Sequence, residues 1–365
     1  MPGEPMTDTR RLNDGGVFGA PDFDRHERVL FWHDADHGVR AIVAMHRVRY
    51  GRALGGCRVA PYPTEAAALS DVLRLSRGMT YKTALAGLPC GGAKAVLIGD
   101  PRTVKTEATL RSLGRMVESL GGTYVTAEDV GMVADDVVVI RRETRWALGT
   151  SPEIGTSGPH TAAGVFAAMR AALEHRHGTA SFAGITVAVQ GAGSVGSRLC
   201  ELLHQAGAQL IVADVDVERA QRVAASTAAV VVKPEAIHSQ RVDIFAPCAL
   251  GAVLNADTIP ELRAQIVAGA ANNQLATPAD GDRLHARGII YVADYLASAG
   301  GVISGMHELE GRGRAGLDER IASIGKTATE VLSEAQRLGI TTAAAADIVA
   351  ERRFDKTPRA ASANP

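Results

Sequence analysis

The chain has 365 residues, 46% hydrophobic and 22% charged, which is globular composition and excludes a disordered polymer. Its 39 Lys and Arg against 40 Asp and Glu leave a formal charge of −1, so there is no basic excess to footprint nucleic acid or an anionic membrane surface. The length favours two domains, and 39 glycines with only 4% aromatics point to tight turns and close backbone approaches.

Residues 1–14 are polar and lack the apolar stretch of a signal peptide. No apolar run reaches the ~18 residues of a membrane span, so a cytoplasmic protein is expected. Apolar runs at 28–32 and 39–48 predict paired strands around a turn at 34–38. A helix is predicted from Glu65, with Leu69, Val72, Leu73 and Met79 at three- and four-residue spacing and Thr64 as its cap. A glycine-rich stretch over 87–94 then leads into a strand at 95–98, a helix over 104–120 and a strand at 124–127.

In the second half the rhythm changes. A strand at 185–189 precedes a helix carrying Val195, Leu199, Leu202 and Leu203 on one face. A strand at 209–212 and a helix at 217–225 follow, then short β runs at 242–245, 265–268 and 289–292. Strands alternating with helices predict a doubly wound parallel sheet. The expected fold class is therefore α/β: an N-terminal α+β substrate domain over 1–150 and a Rossmann-type dinucleotide domain over 151–324. After Gly301 the spacing of Ile321, Ile324, Val331 and Leu338 predicts one long helix, with 325–353 returning to pack on the first domain. Residues 354–365 are expected to form a disordered tail. Cys57, Cys90, Cys200 and Cys248 have no CxxC spacing, which argues for neither a disulfide framework nor a metal site.

Gly191-Ala-Gly-Ser-Val-Gly196 directly follows a predicted strand and opens a helix. In that setting Gly191 permits the tight turn, Gly193 lets a pyrophosphate approach the backbone, and Gly196 lets helix and strand pack closely. Ser194 and Val195 complete the loop at the helix N-terminus, where phosphate charge is favoured. Asp214 comes 18 residues after Gly196, at the end of the next strand, where a carboxylate accepts hydrogen bonds from an adenosine ribose and repels a 2′-phosphate. The cofactor predicted is NAD.

Lys82 and Lys94 lie twelve residues apart, one at a helix end and one beside a glycine-rich turn, both among small and apolar residues. Gly55-Gly56 offers another close backbone approach, and Thr126-Ala-Glu-Asp129 places acids at a strand end. Two ammonium groups held about 6 Å apart repel by roughly 3 kcal/mol at an effective dielectric near 20. A lysine so placed can accept a proton near neutral pH.

Ala53-Leu-Gly-Gly56, the run from Asp71 to Lys82, Gly91-Gly-Ala-Lys94 and Thr126-Ala-Glu-Asp-Val-Gly131 closely resemble the leucine/valine/phenylalanine dehydrogenases of the glutamate dehydrogenase superfamily. Phe245-Ala-Pro-Cys-Ala-Leu-Gly251, Gly269-Ala-Ala-Asn-Asn-Gln-Leu275 and Ala299-Gly-Gly-Val302 are similar to the same family. The resemblance runs from about residue 27 to 353. It implies oxidative deamination, with Lys94 as general base, Lys82 on the substrate carboxylate, and Asp129 relaying protons and meeting the amino group. It further implies that Thr161, Ala246 and Asn273 lie near the cofactor, with Asn272 structural, and that the protein is a homo-oligomer.

Two departures stand out. Where the family usually carries Pro and Asn, this chain has Ala293 and Ser298, which puts local hydrogen bonding in doubt. Gly305 stands where leucine-type members usually carry Val, which should enlarge the pocket. Leu54, Ala127 and Val302 keep the expected lining apolar, without a cation for a side-chain carboxylate, so glutamate is not the expected substrate. Branched aliphatic and aromatic amino acids both remain open. The alternative to a dehydrogenase is a non-catalytic NAD-binding regulator of the same fold.

Overall fold

The computed structural model describes residues 16–355 and groups them into two compact units, 16–80 with 90–147, and 81–89 with 148–355. The first unit opens with β1 (Arg28–Asp34), β2 (Val39–Arg47), β3 (Ala53–Leu54), β4 (Cys57–Ala60) and α1 (Glu65–Leu85). It continues with β5 (Gly91–Ile98), α2 (Glu107–Ser119), β6 (Tyr124–Val125) and α3 (Ala134–Ile140). Its sheet runs β1-β2-β5-β3-β6, with β4 also paired to β5. Strand β5 is antiparallel to β2 but parallel to β3 and β4.

Thr64 does cap α1, accepting from the Ala67 amide at 3.1 Å. The helix buries Ala68, Leu69, Val72 and Leu73 against Ile42 and Ala44 of β2 and Val96 of β5. Helix α2 starts later than its apolar pattern, because Thr106 accepts from the Thr109 amide and sets the first turn. The glycine-rich stretch before residue 95 differs from expectation, since Gly91 to Lys94 already belong to β5. Glycine is there for approach rather than turning. A Cβ at Gly91 would collide with the Arg47 carbonyl, and one at Gly92 with the Thr80 amide.

The second unit begins with α4 (Ser157–His177), then β7 (Thr186–Gln190), α5 (Ser194–Gln205), β8 (Gln209–Ala213), α6 (Val217–Thr227) and β9 (Val230–Val231). Next come β10 (Ile244–Pro247), α7 (Thr258–Glu261), β11 (Ile266–Val267), α8 (Ala279–Ala286) and β12 (Ile290–Tyr291). The chain closes with α9 (Asp294–Ala297), α10 (Gly300–Leu309), α11 (Leu317–Leu338) and α12 (Thr342–Asp355). The sheet order is β12-β11-β10-β7-β8-β9, parallel throughout. Strand order therefore reverses between β7 and β10, which opens a crevice at their carboxyl ends.

The long helix expected after Gly301 is broken into three. Gly311 and Gly316 adopt left-handed backbone between α10 and α11, and Gly339 does so at the end of α11. The final helices pack on the last turn of α1. Arg353 donates to the Leu85 carbonyl at 2.7 Å, Thr327 donates to the same oxygen at 3.2 Å, and Tyr81 donates to Glu351 at 2.8 Å. These contacts satisfy carbonyls that a helix end leaves open. The return expected of 325–353 thus takes the form of contacts with residues 81–89, which group with the second unit. Phe354 and Asp355, expected in the tail, finish α12, with Phe354 buried against Tyr81. Residues 356–365 lie outside the described residues. No helix among the described residues is long and apolar enough to cross a membrane.

Candidate functional site

In the first unit the chemistry gathers around one carboxylate. Lys94 leaves β5 with its side chain only 7% exposed and donates from Nζ to Asp129 Oδ1 at 2.7 Å. Asp129 sits just past β6, in a stretch held to β4 by the Cys57 amide on the Ala127 carbonyl and the Val59 amide on the Val130 carbonyl. Its other oxygen, Oδ2, accepts from Arg58 Nε at 3.0 Å. Arg58 then reaches Asp71 Oδ2 at 3.0 Å, and that oxygen also accepts from the Tyr62 hydroxyl at 2.6 Å.

Burial alone would raise the Asp129 carboxyl, but Lys94 and Arg58 outweigh it and hold the group below its ordinary range. A buried ammonium–carboxylate pair with its own counter-charge can exchange a proton over one short hydrogen bond. The sequence reading singled out Lys94 and Asp129, took Asp71 only as the start of a family-like run, and did not single out Arg58 or Tyr62.

Gly55 and Gly56 face backbone rather than open space. A Cβ at Gly55 would collide with the Ala93 carbonyl, and one at Gly56 with the Glu128 carbonyl. They let β3, β5 and the Asp129 segment close together, and Leu54 between them and Ala53 is buried. Ala127 is half-buried beside Asp129.

In the second unit, Lys82 donates from the last turn of α1 to Asn272 Oδ1 at 3.3 Å, so the asparagine expected to be structural is the one that meets the lysine. Asn273 holds left-handed backbone, and its carbonyl accepts from the Ala252 amide at 2.7 Å. Asp294 is buried beside them. Burial pushes its carboxyl up while Lys82 pulls it down.

The two departures from the family pattern are absorbed locally. Ala293 has φ −51°, an angle proline would also take, so the backbone path is kept without the ring. Ser298 is buried and its hydroxyl donates to the Asp294 carbonyl at 2.6 Å. Val302 and Gly305 lie half-buried on α10.

The loop from β7 to α5 carries the dinucleotide signature in geometry as well as spelling. Gly191 has φ +103°, and a Cβ there would press on Cys248 and Ala249 at 2.9 Å. A Cβ at Gly196 would collide with the Gly191 carbonyl, so helix and turn touch. Gly193 is different: its φ is −74°, and no protein atom lies within 4 Å of where a Cβ would stand. Nothing in the fold itself demands glycine at 193. Its open side lies at the N-terminus of α5, an end that favours a phosphate group.

Asp214, just past β8, accepts from the Ala192 amide at 2.6 Å through Oδ2 and from the Asp216 amide at 2.8 Å through Oδ1. An open groove of about 450 Å³ runs from Gly193 and Ser194 to Arg219 and Arg222 on α6. Those two cations, which the sequence reading did not single out, face Asp216 at 3.1 Å and Glu218 at 3.9 Å. Val195 follows on α5, and Ala246 is buried in β10 next to β7. Thr161 does not cap α4, which begins at Ser157; its hydroxyl donates to the Ser157 carbonyl within that helix. The residues present therefore fit a nicotinamide dinucleotide.

A family profile described as Glu/Leu/Phe/Val dehydrogenase, dimerisation domain, matches residues 26–150. A second, described as Glutamate/Leucine/Phenylalanine/Valine dehydrogenase, matches 156–218 and 212–360. A leucine dehydrogenase of Bacillus cereus is 47% identical, covering 90% of this chain and 91% of its own. A valine dehydrogenase of Streptomyces virginiae is 46% identical over 90% of this chain and 94% of its own. The crystal structure of L-tryptophan dehydrogenase from Nostoc punctiforme matches with a TM-score of 0.81 at 43% identity, covering 92% of this chain and 97% of that one.

Proposed function

The chain belongs to the glutamate/leucine/phenylalanine/valine dehydrogenase family and is an amino-acid dehydrogenase; from that premise we propose that it oxidises an apolar L-amino acid with NAD, releasing the 2-oxo acid and ammonia, and runs the reverse amination. The observation that carries this reading is the buried Lys94–Asp129 pair at 2.7 Å. A regulator that only bound the cofactor would have no use for it.

Each residue has a task. Lys82 binds the substrate carboxylate. Lys94 Nζ, when neutral, takes a proton from the water that adds to the imino carbon, and Asp129 Oδ1 exchanges protons with Nζ and with the substrate nitrogen. NAD, when bound, supplies the hydride acceptor. Gly191, Gly193 and Gly196 shape its pyrophosphate cradle with Ser194 and Val195, and Asp214 holds the adenosine ribose. Thr161, Ala246 and Asn273 serve the nicotinamide side. Leu54, Ala127, Val302 and Gly305 supply an apolar lining, and Gly55 and Gly56 bring the backbone close.

The choice of NAD over NADP rests on Asp214 and on Arg219 and Arg222 being matched by carboxylates. Asp214 also ties two backbone amides, so alanine there would loosen the turn as well as remove charge. Asp214→Asn removes the charge and keeps an acceptor for one of the two amides, a smaller disturbance than alanine. It is expected to raise KM for NAD about tenfold and narrow its advantage over NADP, since one hydrogen bond to a charged group is worth about 1.5–3 kcal/mol. The check is NADH and NADPH formation with L-valine, L-leucine, L-phenylalanine and L-tryptophan, with L-glutamate as the negative control. Equal use of NADP by the unmodified protein overturns the cofactor assignment, and glutamate as best substrate overturns the apolar one.

We infer further that the protein works as a homo-oligomer in the cytoplasm. The description of its N-terminal profile as a dimerisation domain supports the first. The four cysteines, which are thiols rather than disulfides, support a reducing compartment.

A further inference from the structure

Asp129 is held from two sides, and the two sides do different things. Oδ1 meets Lys94, and Oδ2 meets Arg58, whose guanidinium also grips Asp71. Strand β4 pairs in parallel with β5, with Cys57 opposite Ala95 and Arg58 opposite Val96. The same strand's amides at Cys57 and Val59 anchor the chain on either side of Asp129, so the arginine between them faces the carboxylate. Arg58 is itself braced. Asp71 receives Arg58 and Tyr62 on Oδ2 and Arg74 at 3.0 Å on Oδ1. A planar fork between two carboxylates fixes distance and angle in a way a flexible ammonium does not.

The thiol and the two phenols that face Asp129 are neutral at working pH. Burial pushes the Cys57 thiol up to about 12 and the Tyr124 hydroxyl well up. Burial and Asp71 push the Tyr62 hydroxyl up as well. Glu128, next in the chain, is half-buried, and burial raises its carboxyl. Lys94 and Arg58 are left as the cations beside Asp129, with Asp71 as the counter-charge behind Arg58.

We propose that Arg58 is a positioning residue for the reaction: it clamps Oδ2 of Asp129 so that Oδ1 is presented to Lys94, and with Asp71 it tunes the pH at which the pair becomes active. This rests on the proton-transfer roles of Lys94 and Asp129 given above. Asp71, Tyr62 and Arg74 hold Arg58 in turn, so the device reaches from Lys94 on β5 and Asp129 past β6 to α1.

The test compares pH profiles of kcat and kcat/KM for the full-length wild type, Arg58→Gln, Arg58→Lys and Asp71→Asn, with thermal melting of each. Removing the cation in Arg58→Gln should move the acid limb of kcat/KM up by about one pH unit. It should lower kcat at the optimum about tenfold through misplacement of the carboxylate, leaving KM for NAD within about twofold. Asp71→Asn removes a negative charge and should move the same limb down. Arg58→Lys keeps the charge without the fork, so the limb should stay within about half a unit while kcat falls a few-fold.

A purely structural role does not produce shifts of opposite sign. Limbs that stay in place, or that move the same way in Arg58→Gln and Asp71→Asn, overturn the proposal. Should Arg58→Gln fail to fold, Arg58→Lys and Asp71→Asn decide: an unshifted limb in Asp71→Asn together with full kcat in Arg58→Lys overturns it. A wild type that forms no NADH with any apolar amino acid retires the proposed reaction on which this rests; an active wild type with unmoved limbs retires only the role of Arg58.

Discussion

Lys94→Ala is expected to lower kcat by about 10²–10⁴-fold, the usual worth of a positioned general base. The same variant should bind NAD almost unchanged, because the cradle of Gly191, Gly193 and Asp214 is built by β7, α5 and β8 of the other unit. Stability needs separate attention. Removing one partner of a buried ion pair costs about 3–5 kcal/mol when the remaining charge is left uncompensated. Asp129 is not left so, since Arg58 still holds Oδ2 at 3.0 Å, and the loss should fall short of that range. Thermal melting and NAD binding by fluorescence quenching separate a folded, cofactor-competent protein from a damaged one. Retention of more than roughly a tenth of wild-type kcat in a folded variant would remove the general-base role from Lys94.

What the sequence made legible, and what it hid, follows the range of the interactions. The glycine turn is local: strand, turn and helix lie within a few residues, Gly196 answers to Gly191 and Gly193 to no protein atom, and only Gly191 also meets a distant segment, at Cys248 and Ala249. The place of Asp214, just past the next strand, was legible for the same reason. Arg58 was not. Its partners are Asp71 and Asp129, thirteen and 71 residues away, and it is the docking of the Asp129 segment on β4, through the Cys57 and Val59 amides, that sets Asp129 beside it. Cys57-Arg-Val-Ala60 is a short alternating run with a charged residue facing inward, which reads as loop until the partner is known.

The glycines before Lys94 misled in the other direction. A run of Gly suggests a turn, yet here it marks backbone packed on backbone inside a sheet. Asn272 was likewise underrated, since nothing local predicts that Lys82, 190 positions away, reaches its side chain.

Gly305→Val is expected to reduce use of bulky substrates more than of valine. Gly305 lies on α10 with no positive φ, so β-branching is compatible with its backbone, and valine is no worse a helix former than glycine. Space is also available. A Cβ there would meet Leu148 Cδ1 at 3.6 Å and Leu148 Cβ at 4.0 Å, which is ordinary van der Waals contact. The backbone objection to this substitution is thereby removed. What remains is whether the added isopropyl group occupies volume that a substrate side chain would use.

If Gly305 lines the substrate pocket, each methylene excluded from it costs about 1–3 kcal/mol, or roughly 10–200-fold in kcat/KM. Phenylalanine should then lose the most, leucine less and valine least. The measurement is kcat/KM for the three amino acids in both proteins, with thermal melting to confirm an intact fold. Since Leu148 is the nearest neighbour, Leu148→Ala in the same background should return part of the lost activity by letting the new side chain turn away. Equal ratios for the three substrates in a well-folded Gly305→Val protein would place Gly305 outside the pocket and leave substrate size to Leu54, Ala127 and Val302.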